Sequence, residues 1–237
     1  FRAHGGPIRQ AWFTPDSSAV VLYAHGRCTT WRLDGTRVAD APLADWAGHG
    51  PLALQADGSL YWLAEEDAQE DADRPVRERR ADLVLRHSGR TRSAPAAPRV
   101  RLEGPERWDV AGLASDPAGR VVVAALASDR RGGCIIAWDL ARNRVLWEKR
   151  DVPRERVLAS DYGHIACAVA PDASACAVAD AGGGVVILDL PAGTVRHRLR
   201  VAETKHPEWC FDLIWNADGI VVRGWFHERA PDRLTFR

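Results

Sequence analysis

One pattern constrains this chain more than any other. A unit of short apolar runs, divided by tight-turn residues, returns about every fifty positions, and a period of that length limits the architecture before any single residue is considered. The stretches WFTPDSSAVVLYAHGRCTTWRLDGTRV at 12–38 and VAPDASACAVADAGGGVVILDLPAGTV at 169–195 are near-copies. The same turn chemistry recurs at Pro15-Asp16-Ser17-Ser18, Ala56-Asp57-Gly58-Ser59, Asp116-Pro117-Ala118-Gly119, Pro171-Asp172-Ala173-Ser174 and Ala217-Asp218-Gly219. Asp bonds to backbone two residues on and Gly accepts positive φ, so these stretches predict hairpin turns. The runs they separate, such as Val20-Val21-Leu22-Tyr23, Val121-Val122-Val123 and Val185-Val186-Ile187-Leu188, are short and β-branched, which favours buried strands over helices.

Taking Trp31, Leu85, Trp138 and Leu188 as equivalent ends of a third run gives steps of 54, 53 and 50 residues. Four strand-like runs per period predict an all-β chain of four-stranded antiparallel blades, each too thin to bury both faces without neighbours. The expected blades are 6–48, 49–107, 108–158, 160–205 and a partial fifth at 209–237, its strands at Phe211–Trp215, Gly219–Trp225 and Arg233–Phe236.

The arrangement resembles the WD-repeat β-propeller family over nearly the whole chain. A His stands in the turn leading into a blade (His4-Gly5, Gly48-His49, Gly163-His164), and a Trp-Asp type dipeptide closes the third strand. Trp138-Asp139 is the literal form, while Trp31-Arg32, Leu85-Arg86 and Leu188-Asp189 are degenerate; Asp129 and Asp180 sit near the turn where the family often places an Asp. The resemblance implies a β-propeller of four full blades plus a partial fifth, either a five-bladed ring or a fragment of a larger propeller. It also implies a non-enzymatic protein-interaction scaffold or a regulatory sensor module of a larger intracellular protein. The alternative is a cofactor- or metal-binding propeller enzyme, quinoprotein-like or a hydrolase.

Bulk properties narrow the partners. The formal charge is zero, with 32 basic and 32 acidic residues, so no global field draws in nucleic acid or anionic lipid. Cys28, Cys134, Cys167, Cys176 and Cys210 form no Cys-x-x-Cys pair, which points to free thiols in a reducing compartment rather than a disulfide framework. No apolar run is long enough to span a bilayer and no leader opens the chain, so the expectation is a cytoplasmic protein with a protein or peptide partner and neither nucleic acid nor membrane. Met is absent even at position 1, which reads as a piece of a longer polypeptide.

Candidate chemistry is sparse. His4, His49, His164 and His206 would lie near one face, yet each is expected to bond within its own blade rather than share a metal. Ala137, Asp139 and Trp147 are spaced as in the tryptophan-docking repeat of quinoprotein propellers but lack its Thr and Gly; docking of Trp147 on a neighbouring sheet is expected, a quinone is not. Gly182-Gly183-Gly184 lies between strands and lacks the helix N-terminus of a phosphate cradle. No nucleophile elbow accompanies any Ser, so no catalytic, cofactor or metal residue is assigned. Cys167 and Cys176 fall on adjacent strands and are expected as free thiols.

Two segments break the repeat. EEDAQEDADRPVRERR at 65–80 carries Glu65, Glu66, Asp67, Glu70, Asp71 and Asp73, then Arg74, Arg77, Arg79 and Arg80, a composition that predicts a mobile charged loop and a possible latch for a partner. RHSGRTRSAPAAPRVRLEGPERW at 86–108 reads as a semi-rigid connection to the outer strand. Around the turns that lead into blades, Trp108, Arg130, Arg131, Tyr162, Lys205, Glu208 and Trp209 are the candidate partner-binding residues, because exposed Trp, Tyr and Arg are the usual anchors of binding surfaces.

Overall fold

The computed structural model describes residues 8, 10–13, 18–24, 27–42, 53–54, 60–67, 81–87, 99–101, 108–128, 132–152, 166–179, 184–200, 209–225 and 233–236. All regular structure among them is β, in five antiparallel sheets whose strands neighbour one another in chain order. The first sheet holds β1 (Gln10–Phe13), β2 (Ala19–Ala24), β3 (Arg27–Arg32) and β4 (Arg37–Pro42). The second holds β5 (Ala53–Leu54), β6 (Leu60–Asp67), β7 (Ala81–His87) and β8 (Arg99–Arg101). The third holds β9 (Trp108–Ser115), β10 (Val121–Ser128), β11 (Gly132–Asp139) and β12 (Arg144–Val152). The fourth holds β13 (Cys167–Val169), β14 (Ala175–Ala179), β15 (Gly184–Asp189) and β16 (Val195–Arg200), and the fifth β17 (Trp209–Asn216), β18 (Gly219–Trp225) and β19 (Arg233–Phe236).

The apolar runs are continuous rather than alternating because successive side chains point to opposite faces and both faces are covered. In the third sheet, Val122, Ala124, Leu126, Ile136 and Trp138 share a core with Tyr61, Leu63 and Leu85 of the second sheet. Their chain neighbours Val121, Val123, Ala125, Ile135 and Ala137 share a different core with Cys176, Val178, Leu188 and Leu190 of the fourth. The fourth sheet repeats the rule, presenting Ala175, Ala177, Val185 and Ile187 to Leu213, Ile220 and Val222 of the fifth. The opening strands β5, β9, β13 and β17 touch in succession along the stack.

This two-sidedness corrects one sequence equivalence. Leu85 faces the following sheet, whereas Trp138 faces the preceding one, so the third-sheet counterpart of Leu85 is Ile135 and not Trp138. The charged segment also begins inside a strand: Glu65, Glu66 and Asp67 pair opposite Leu83, Asp82 and Ala81, and 68–80 lie outside the described residues.

The third-to-fourth strand connection is built alike in three sheets. Thr30, Ala137 and Ile187 lie opposite Ala39, Trp147 and His197, and in each case the register then slips by one residue. Gly35 (φ 88°), Asn143 (φ 50°) and Gly193 (φ 68°) supply the left-handed residue that such a turn needs. At Gly193 the turn does a second job. The Trp147 indole lies flat on it, donates its Nε1 proton to the Leu190 carbonyl, and would stand 2.8 Å from any Cβ placed there. Trp147 therefore docks on the neighbouring sheet, as its spacing suggested. Lys149 Nζ adds a bond to the Gly193 carbonyl at 3.3 Å.

Trp31 and Trp138 close equivalent strands but differ in their partners. Trp31 Nε1 donates to Thr29 Oγ1 at 2.9 Å, while the residue two before Trp138 is Ile136 and the buried Trp138 Nε1 has no partner among the described residues. Apolar burial alone holds that ring, and an unpaired buried donor offsets part of the gain by about 1–3 kcal/mol.

Two turn substitutions should move stability in opposite directions. Gly193→Ala combines a left-handed strain of about 1–2 kcal/mol with the clash against Trp147, for a loss of about 3 kcal/mol in urea unfolding; in a Trp147→Ala background only the strain should remain. Ala173, at φ 59°, occupies the place held by Gly119 (φ 66°) in the sister turn, so Ala173→Gly should gain about 0.5–1 kcal/mol.

Candidate interaction face

The sheets have two ends, and their chemistry differs. At the hairpin-turn end carboxylates of the described turns are engaged locally. Asp116 is fully buried and its Oδ1 accepts from the backbone N–H groups of Arg120 at 2.6 Å and Val121 at 2.8 Å. Its Oδ2 accepts from Arg120 Nε at 2.8 Å, and Arg120 Nη2 reaches on to the Pro171 carbonyl of the fourth sheet at 3.0 Å. Asp34 accepts from Thr36 N, Asp172 from Ser174 N, Asp189 from Ala192 N and Arg196, and Asn216 from Asp218 N. These residue types recur because a short acceptor two or three positions before a free N–H closes the turn that the strands require.

The same bonds set the charges. Burial works to raise the Asp139 pKa, but hydrogen bonds from the Arg142 side chain and backbone, with the charges of Arg142 and Arg144, outweigh it and hold the carboxyl below the usual range. The backbone N–H of Thr36 lowers Asp34, and that of Ser174 lowers Asp172. These carboxylates are ionised and engaged, which leaves them poor proton donors and poor metal ligands. Among the described residues no group of three or more His, Cys, Asp or Glu converges. Cys28 and Cys176 are pushed up to about 12 by burial, so neither is a ready nucleophile. Cys167 lies opposite Val178 and Cys176 opposite Val169, two positions apart along the hairpin, and both are free thiols.

The other end carries Trp108 and Trp209, the two candidate binding residues that are described. Trp108 opens β9 opposite Ser128, the last residue of β10, and Trp209 opens β17 opposite Trp225, the last residue of β18. Both tryptophans thus begin strands at the end remote from the turns at 116–120 and 217–218. Arg130, Arg131, Tyr162, Lys205 and Glu208 lie outside the described residues, as do His4, His49, His164 and His206. Gly184, which opens β15, is the described member of the Gly-Gly-Gly run. Arg86 and His87 close β7, and Arg99–Arg101 form the short outer strand that the Arg- and Pro-rich segment leads to.

Sequence reasoning missed the Asp116–Arg120 pair and its bond across to Pro171. Asp116 stands in a turn where any Asp is expected for local reasons, so nothing in the pattern marks this one as buried. No helix among the described residues is long and apolar enough to cross a membrane. No protein-family model matches the chain, and no curated protein matches it.

Removing the buried carboxylate should be costly: Asp116→Ala strands two backbone donors and is expected to lower unfolding free energy by about 2–4 kcal/mol, with Asp116→Asn losing about half as much. Acid should act through the depressed carboxylates. The unfolded chain takes up protons near pH 3.9 while Asp34, Asp139 and Asp172 hold theirs off to lower pH, so stability is level above about pH 5 and falls below about pH 4. Urea midpoints across that range should show the fall, and Asp139→Asn should make it shallower.

Proposed function

We propose that this chain is a propeller-type repeat protein, similar to WD-repeat propellers, whose role is to display a binding face to a protein or peptide partner without chemistry of its own. Three things support the propeller reading. From the second sheet to the fifth consecutive sheets share cores, with the third and fourth covered on both faces; the opening strands of these sheets touch in succession; and each four-stranded sheet runs in simple chain order. This arrangement is what radial packing of blades requires.

The observation that carries the functional reading is the contrast between the ends. Carboxylates at the turn end are bound into their own turns, whereas Trp108 and Trp209 begin strands at the opposite end, Trp209 directly after Glu208 and four residues after Lys205. Large aromatics with nearby basic side chains anchor protein interfaces, and a rigid stack of sheets fixes their spacing so that little ordering entropy is lost on binding. The partner would then meet the strand-opening end, and the arrangement fits a scaffold or sensor module of a larger protein.

The reading predicts where a partner touches. A photo-crosslinking amino acid placed at 108 or 209 in cells should yield discrete protein adducts, and one placed at the exposed turn residue Arg142 should not. Adducts confined to 142 would overturn it. Metal analysis and an absorption spectrum of the purified protein provide the second check, since a stoichiometric metal or a chromophore would favour the cofactor-dependent enzyme instead.

A further inference from the structure

In each four-stranded sheet the strand farthest from the opening strand is unlike the rest. β4, β8, β12 and β16 read RVADAP, RVR, RVLWEKRDV and VRHRLR, nine Lys or Arg against three Asp or Glu, in a chain whose totals balance at 32 each. Among the described residues each of these strands pairs with one neighbour, so its other edge presents spare backbone N–H and C=O groups.

Two of these edges are blunted. β4 ends in Pro42, which has no N–H to offer, and Asp40 holds both Arg27 and Arg37, at 2.8 and 3.1 Å. β12 meets two register slips, Glu148 takes up Arg150, and Lys149 is spent on the Gly193 carbonyl. β16 has neither device. Its one slip lies beside the turn, and from His197 to Arg200 it runs in unbroken register opposite Ile187, Val186, Val185 and Gly184. Val195 is 39% exposed and Arg196, His197 and Arg198 are exposed with it, so this stretch is open to solvent. Arg196 is bound to Asp189, whereas Arg198 has no ion pair among the described residues.

The two faces of the strand differ as well. Arg198 lies opposite Val186, on the side turned to the third sheet. Leu199 lies opposite Val185, on the side turned to the fifth, where it packs half-buried against the shared core.

We propose that β16 receives an extended acidic segment of a partner protein as a further strand of the fourth sheet, with an acidic side chain set against Arg198 and an apolar one against Leu199. Main-chain bonds along the open edge supply the affinity and the arginine supplies the selection. It repels a second basic strand, so two copies do not zip together through β16, and it attracts an acidic one. A nucleic acid fits less well, since β16 carries no Phe, Tyr or Trp for a base to stack on and its ladder groups suit another backbone of peptide. The contact uses an outer edge rather than the strand-opening ends, so it is independent of the partner-binding reading above.

Titrating the full chain into a fluorescently labelled peptide that alternates Glu and Val over about ten residues, and reading its anisotropy, tests the proposal. Binding should saturate, and should weaken as salt is raised from about 0.05 to 0.3 M. A peptide of the same charge that alternates Glu and Pro lacks every second N–H and should bind at least about tenfold more weakly. Arg198→Glu should cost about tenfold with an unchanged circular dichroism spectrum, and Arg198→Gln, the gentler variant should the first misfold, about threefold; Arg144→Glu, the same charge change on β12, should stay within about twofold of wild type. Three results overturn the proposal: no saturation by about 0.5 mM protein, equal binding of the Glu-Pro peptide, or an Arg144→Glu loss as large as that of Arg198→Glu. A thymidine oligonucleotide of similar length that binds more tightly than the peptide and is released by Arg198→Glu would also overturn it, in favour of a nucleic acid.

Discussion

Neither face of the third or the fourth sheet is left in water, and that constraint governs much of the rest. A strand such as β10, Val-Val-Val-Ala-Ala-Leu-Ala, offers solvent nothing polar on either side until its last residue. Burying one face against a neighbour leaves the other just as costly, so the sheets must come in series and each must be a near-copy of the last. Repetition in the sequence is the record of that requirement. It also explains the many alanines at the seams, Ala124, Ala125, Ala175 and Ala177 among them, since small side chains let two pleated surfaces approach without voids.

Polar groups are subordinate to the same demand. Short turns are needed at one end of every sheet, and Asp is the cheapest residue that both makes such a turn and satisfies its spare N–H groups. The result is a row of carboxylates that looks chemically promising in the sequence and is spent in the structure. Asp139 shows this most clearly: part of the literal Trp-Asp dipeptide that closes a third strand, it is tied to Arg142. The proposed binding face lies at the opposite end of the strands, where Trp108 and Trp209 begin β9 and β17.

Much of the architecture was legible in the sequence because its determinants are local. Pro171-Asp172-Ala173-Ser174 and Ala217-Asp218-Gly219 specify their turns within four residues, and β18 and β19 fall where the runs and breaks put them. Register was not legible. Leu85 and Trp138 both end a phrase in the text, yet they face opposite ways, and a one-residue change of phase is invisible when every position in a run is apolar. Glu65, Glu66 and Asp67 look like loop by composition but pair across to β7, where ladder bonds to the backbone do not depend on what the side chains are. The candidate site was legible only as a set of residue types beside turns, since nothing in one sequence tells which of ten tryptophans is packed and which is shown.

The junction of the third and fourth sheets carries one more lesson. Arg120, Trp147 and Lys149 reach across it, and all three end on main-chain carbonyls, those of Pro171, Leu190 and Gly193. Recognition there is one-sided: the donors are spelled out in one sheet, while the other contributes only a path for its backbone. Apart from Gly193, which has no room for a Cβ, side chains of the receiving turn are therefore free to drift over evolutionary time so long as that path survives, whereas the donor set has no such latitude. A blade of this kind could be exchanged for a divergent one on its receiving side and still be gripped.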